Sequence, residues 1–258
     1  MADTPPEGAS QPVFVVIGAA GGIGSCVARR LYASGARLVL AGRSRAKLET
    51  LVNELEAKAC ELDAVSFEAV ERCQQEAHAW SGRVDGVLNC VGSILQKPAH
   101  LTTAVELQEV LALNLVSAFA TVRAAANVMR KSGGSIVLMT SAAAEIGLAN
   151  HEAIAAAKAG VIGLMRSAAA TYAAQGIRVN AVAPGLVETP MSARITSNEA
   201  ARNASIAMHP LGRLGRPEDV AEPICWLLGP TSRWVTGQVI GVDGGLARLK
   251  TKAPRATV

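Results

Sequence analysis

Short runs of Val, Ile, Leu and Ala recur along the chain and are separated by stretches of helix formers. The runs are VFVVIG (13–18), ARLVLAG (36–42), DGVLNCVG (85–92), GSIVLMTS (134–141), IRVNAVAPG (177–185) and QVIGVDGG (238–245). Continuous apolar character, rather than alternation, is what a strand needs when both of its faces are covered. The intervals, SCVARRLYASG, RAKLETLVNELEA, SFEAVERCQQEAHAWSG, LQEVLALNLVSAFATVRAAANVMRKSG and EAIAAAKAGVIGLMRSAAATYAAQG, are long enough to be crossover helices. This order predicts a doubly wound parallel sheet, an α/β/α arrangement of three layers in a single domain. Gly35, Gly82, Gly133 and Gly176 stand where the helices should end, as left-handed caps. With 50% apolar and only 3% aromatic residues, the core must be built from small and aliphatic side chains.

The domain is expected over residues 12–247, with a flexible polar tail at 1–11 and a basic, solvated tail at 248–258. The longest apolar stretches are broken by glycine and fall short of the ~20 residues of a membrane span. The N-terminal segment MADTPPEGASQP has neither a basic start nor an apolar core, so secretion is not expected. Cys26, Cys60, Cys73, Cys90 and Cys225 are scattered without metal-ligand spacing, which predicts no zinc site, no disulfide framework and a reducing, cytoplasmic setting. The formal charge is +4, but Arg248, Lys250, Lys252 and Arg255 crowd the C-terminal end, so the body is close to neutral. No nucleic-acid partner is expected from such a surface.

The first run leads into Gly18-Ala-Ala-Gly-Gly22-Ile23-Gly24, with a helix expected to open at about Ser25. Glycines let backbone approach a pyrophosphate, and a helix N-terminus offers it free N–H groups and a positive dipole. Strand, glycine turn and helix together therefore read as a dinucleotide site, whereas a glycine cluster alone is equally a tight turn. The second run ends at Arg43, Ser44 and Arg45, with no acid before Glu49. An acidic residue there would take ribose hydroxyls, while cations suit a 2′-phosphate, so NADP(H) is favoured over NAD(H). Asp63, after a presumed third strand, either hydrogen-bonds the adenine or caps the next helix.

Taken in order, the glycine turn, Asn89-Cys-Val-Gly92, Asn114 in LNLVSAF, Ser141 after IVLMT, Lys158 in AAAKAG, IRVNAVAPG and TGQVIGVDGG resemble the short-chain dehydrogenase/reductase family. The likeness spans about residues 12–247 and is nearest the branch of 3-oxoacyl-carrier-protein reductases and of sugar, steroid and polyol dehydrogenases. It implies a Rossmann-type fold in which Gly18, Gly22, Ile23 and Gly24 wrap the pyrophosphate and Asn89 and Gly92 flank the cofactor. It also implies that Ser141 bonds the reacting oxygen, Lys158 holds the nicotinamide ribose, Asn114 organises a relay water, and Pro184, Gly185 and Thr189 border the nicotinamide. A homo-oligomer is implied, a tetramer ahead of a dimer.

The family places a tyrosine four residues before its lysine, on the same helix face, and here that position is Ile154. A hydride delivered to a ketone leaves an alkoxide that needs a proton, which isoleucine cannot give. Tyr32 and Tyr172, the only tyrosines, lie too far along the chain to substitute. Three readings stand. One is an NADP(H) oxidoreductase with another donor, such as His151, Ser141 or a water held by Asn114 and Lys158. Another is a reductase of activated C=C or C=N bonds, and the third is a nucleotide-binding protein of little or no turnover. His151 near a helix N-terminus is also simply a surface histidine, and Glu145 and Glu152 are explained by solvation. Residues 191–220 read as a mobile lid over a small-molecule substrate, ending at a helix begun near Pro217.

Overall fold

Val13–Ile17 form β1, and every one of these residues is buried, as a strand covered on both faces requires. The computed structural model describes residues 11–250. Along the chain follow β2 (Arg37–Gly42), β3 (Lys58–Glu61), β4 (Gly86–Asn89), β5 (Gly134–Met139), β6 (Ile177–Pro184) and β7 (Val239–Val242). All pair in parallel, in the order β3-β2-β1-β4-β5-β6-β7. The helices are α1 (Gly22–Ala33), α2 (Arg45–Glu54), α3 (Phe67–Ser81), α4 (Ala104–Leu111), α5 (Ser117–Val128), α6 (Glu152–Tyr172), α7 (Ala193–Thr196), α8 (Glu199–Met208) and α9 (Pro217–Leu228).

The strands send successive side chains to opposite faces. Val15 and Ile17 of β1, with Ile136 and Leu138 of β5, meet α3, α5 and α6. Phe14, Val16, Val137 and Met139 meet α1, α2 and α9. This is the expected single Rossmann-type domain of three layers. Its strand order reverses between β1 and β4, where a crevice opens at the carboxyl ends of the strands.

Gly35, Gly82, Gly133 and Gly176 all have left-handed φ angles, from 69° to 85°, where a side chain would be strained. Other boundaries differ from the sequence reading. Helix α1 begins at Gly22 rather than Ser25, so the last glycines of the turn belong to its first turn. Asp63 does not cap α3: Ser66 does, accepting from the Ala69 amide, while Asp63 accepts from the Val65 amide in a local turn. The long helix expected from 107 to 133 is α4 and α5 joined by a π-helical segment, Ala112–Val116. It starts at a capping box in which Thr103 and Glu106 satisfy each other's amides.

The stretches Ala104–Val128 and Glu152–Gln175 are, by length and composition, apolar enough to cross a membrane, contrary to the expectation that no such stretch exists. Alanine rather than glycine carries them, and both cover one face of the sheet. The C-terminal tail was expected to be solvated from 248 onward. Arg248 is 73% exposed, and its guanidinium also donates to Glu145 at 2.8 Å. Of the two tails, positions 1–10 and 251–258 lie outside the described residues.

Leu138 is fully buried at the centre of the sheet, whereas the Thr103 cap is at the surface. Leu138→Ala is expected to cost about 2–5 kcal/mol of unfolding free energy and Thr103→Ala about 1 kcal/mol, as measured by urea denaturation. Equal costs would contradict this division between core and cap.

Candidate active site

At the end of β1 the chain must turn into α1 almost without side chains. Gly18 has φ 84° and gives its amide to the Ala41 carbonyl, while Gly21 N–H donates back to Gly18. A Cβ on Gly24 would lie 2.4 Å from the Gly18 carbonyl oxygen, and one on Gly22 would lie 3.0 Å from Thr189 Cγ2. Alanine at position 24 would therefore push the helix off the turn. The first-turn amides of α1, Gly22, Ile23 and Gly24, precede any helical carbonyl that could accept from them. Such a terminus is suited to an anion.

These glycines form one wall of a cleft of about 230 Å³ at the strand-order reversal. Gly92, Asn114, Ser141, Lys158, Pro184, Gly185 and Thr189 form further parts of its lining, so the structure brings most of the sequence-derived residues together. Asn89 lies just beneath. It is buried, donates to Thr121 Oγ1 at 3.0 Å and Ser117 Oγ at 3.4 Å, and accepts from the Val91 amide at 2.8 Å. It fixes the path by which the chain leaves β4 toward Gly92.

Asn114 sits in the π-helical segment, the kind of local widening that re-aims a side chain. Its amide donates to the Val110 carbonyl and to Ser93 Oγ, and its oxygen accepts from the Ser93 amide. Ser93 is a cleft residue the sequence reading missed, because its role depends on a partner twenty-one positions away. A Cβ on Gly92 would lie 2.8 Å from Asn114 Oδ1 and 3.4 Å from Lys158 Nζ, so glycine there lets all three groups converge.

Lys158 is 6% exposed, and its ammonium donates to the Met139 carbonyl at 2.8 Å. Burial drives its pKa down to about 8, against a smaller opposing pull from Cys90. The ammonium has three hydrogens and this one carbonyl takes one of them, leaving donors for a bound molecule. Ser141 Oγ accepts from the Ala143 amide at 3.2 Å, so its own hydrogen is free to point into the cleft.

Ile154 lines the same cleft and is 5% exposed, packed with Val110, Ala153 and Ala157. His151 is not brought in. It lies outside the cleft lining, with Nδ1 bonded to the Ala149 carbonyl at 2.7 Å and Nε2 facing Gln96 Nε2 at 3.3 Å. Both ring nitrogens are thus engaged away from the cleft. Arg43, Ser44 and Asp63 also stand outside the lining, at the ends of β2 and β3. Ser44 caps α2 by accepting from the Lys47 amide.

The chain matches a family model described as "Enoyl-(Acyl carrier protein) reductase" over residues 18–247. It is 36% identical to the 3-oxoacyl-[acyl-carrier-protein] reductase of Thermotoga maritima, over 91% of this chain and 97% of that one. It is 37% identical to the cis-4-hydroxycyclohexanecarboxylate dehydrogenase of Sinomonas cyclohexanicum, over 93% and 98%. A solved short-chain type dehydrogenase/reductase from Mycobacterium ulcerans superposes with a TM-score of 0.88 at 33% identity, covering 92% of this chain and 90% of that one. Fold, cleft and relatives agree over nearly the whole length: the chain belongs to the short-chain dehydrogenase/reductase family of oxidoreductases.

Proposed function

We propose that this protein is an NADP(H)-dependent oxidoreductase in which the family's proton-donating tyrosine is replaced by Ile154. The observation that carries the reading is one cleft that joins the glycine turn to Lys158, Ser141 and Asn114 and has isoleucine in its wall. The cofactor fits the residues present, because Gly18, Gly22 and Gly24 leave a cradle that Cβ atoms would fill or distort. The first-turn amides of α1 would hold its pyrophosphate and Lys158 its nicotinamide ribose. Arg43 and Ser44, at the end of β2, would take a 2′-phosphate. When bound, the nicotinamide supplies or accepts hydride.

The protein's own task is then the proton. Ser141 Oγ–H would bond the reacting oxygen. Lys158, at about 8, is a far stronger acid than an ordinary lysine and is held beside Gly92 and Asn114. Together they support turnover without a phenol. The same isoleucine favours a second reading, reduction of an activated C=C bond, whose product is a resonance-stabilised enolate, or of an already protonated C=N bond, whose product is a neutral amine. The exposed apolar side chains of the α4–α5 region, Val105, Val116 and Phe119, support a homo-oligomer, with a tetramer proposed.

Ile154→Tyr is expected to raise kcat for ketone reduction by roughly 100-fold, with NADPH affinity unchanged. A wild type already as fast as the variant would sink the claim that position 154 lacks the donor. Wild-type turnover of enones or imines but not ketones identifies the second reading, and NADPH binding without any turnover identifies a nucleotide-binding protein. His151→Ala should leave turnover unchanged.

Calorimetric titration of Arg43→Glu is expected to show NADPH affinity lowered by roughly tenfold or more, with NADH affinity held or improved. An unchanged ratio removes Arg43 from cofactor choice.

Lys158 loses solvation on folding, so its proton destabilises the folded state below about pH 8. An unfolded lysine keeps its proton to about pH 10.4, so the penalty fades as pH rises from about 8 toward that value. Lys158→Met should therefore be more stable than wild type by about 1–3 kcal/mol at pH 7, with the gain shrinking above pH ~8, and should lose NADPH binding. Denaturation at several pH values reads the first effect, and a variant less stable than wild type at neutral pH would contradict it.

A further inference from the structure

His209 closes α8 and is 3% exposed, and no step of the chemistry above uses it. Its Nδ1 lies 2.6 Å from the Ser205 carbonyl and its Nε2 lies 3.1 Å from the Leu186 amide, which donates to it. A carbonyl cannot donate and a backbone N–H cannot accept, so the ring is fixed as the neutral form with its hydrogen on Nδ1. Leu186 belongs to the cleft wall, beside Gly185 and Val187. A Cβ on Gly185 would come within 2.5 Å of His209 Nε2, so the glycine is what admits the ring. The Leu186 carbonyl accepts the Gly215 amide, which leads on to α9. Through one imidazole the lid helix is thus tied to the floor of the cleft.

We propose that His209 is a positioning residue that holds the 185–187 wall of the cleft by accepting the Leu186 amide hydrogen, and that a proton on Nε2 breaks this tie. A protonated ring has two N–H groups and no lone pair, so the Leu186 amide would face a donor instead of an acceptor. The charged groups around the ring are few. Asp243, beyond Gly185, spends its carboxylate on the Gly245 and Ala247 amides. Arg213 and Asp219 share a second cavity with His209 but pair with each other. On the lid, Arg202 pairs with Glu188, and Glu199 lies at the far end of α8. Of the charged groups that share this cavity, Asp243 is thus committed to its own backbone amides and Arg213 and Asp219 to each other.

The test is hydrogen exchange at the Leu186 amide in the protein without cofactor, expressed as protection relative to unstructured chain, so that it is independent of turnover. Wild type should be protected at about pH 8 and lose roughly tenfold of that protection in acid, once Nε2 carries a proton. His209→Gln, which keeps an acceptor but does not titrate, should stay protected at both pH values, and His209→Ala should be unprotected at both. Equal protection in wild type and His209→Ala overturns the positioning role. Equal pH response in wild type and His209→Gln overturns the protonation step, and that comparison stands even where the alanine variant fails to fold.

Discussion

A buried ammonium organises this molecule. Lys158 can be kept inside only if its hydrogens find acceptors, and the protein provides Met139 O at the end of β5. That bond draws α6 against the sheet, and the return bond from Thr140 Oγ1 to the Lys158 carbonyl holds it there from the other side. Ala157 is fully buried at the contact, and Gly160 leaves room for Leu115, whose side chain a Cβ would touch at 2.9 Å. Small residues at these two points, Ala157 and Gly160, let α6 lie close beside the sheet and Leu115. The remaining hydrogens of the ammonium face the cleft side of the helix, where Gly92 leaves them room.

How much of this could be read from the sequence depends on how far apart the deciding residues are. Buried strands declared themselves by continuous apolar runs, and the terminal glycines declared themselves by being the residue type that tolerates positive φ. The glycine turn was legible too, since spacing alone places it between strand and helix. The π-helical step at Ala112–Val116 was not, because it keeps the apolar pattern of an ordinary helix while changing which way Asn114 faces. Nor were the pairing of Arg248 with Glu145 across 103 positions or the engagement of His151 by Gln96. Asp63 and Ser66 were equally good caps on paper, and only the actual chain path chose between them.

Ile154 joins these two themes. In the family pattern its position would carry a hydroxyl facing the same cleft as Ser141, and here the side chain instead extends a small apolar cluster of Val110, Ala153 and Ala157 toward that space. The same cleft holds Lys158, whose pKa is depressed by its burial.

The contact of Gly185 with the His209 ring has a consequence for how this chain can change over generations. A side chain at 185 has nowhere to go while the imidazole is present, and removing the imidazole first strands the amide it serves. Position 185 is thus closed to side chains while the imidazole stands, and position 209 is open only to residues that still accept from the Leu186 amide, so the two are coupled across the cleft wall and α8.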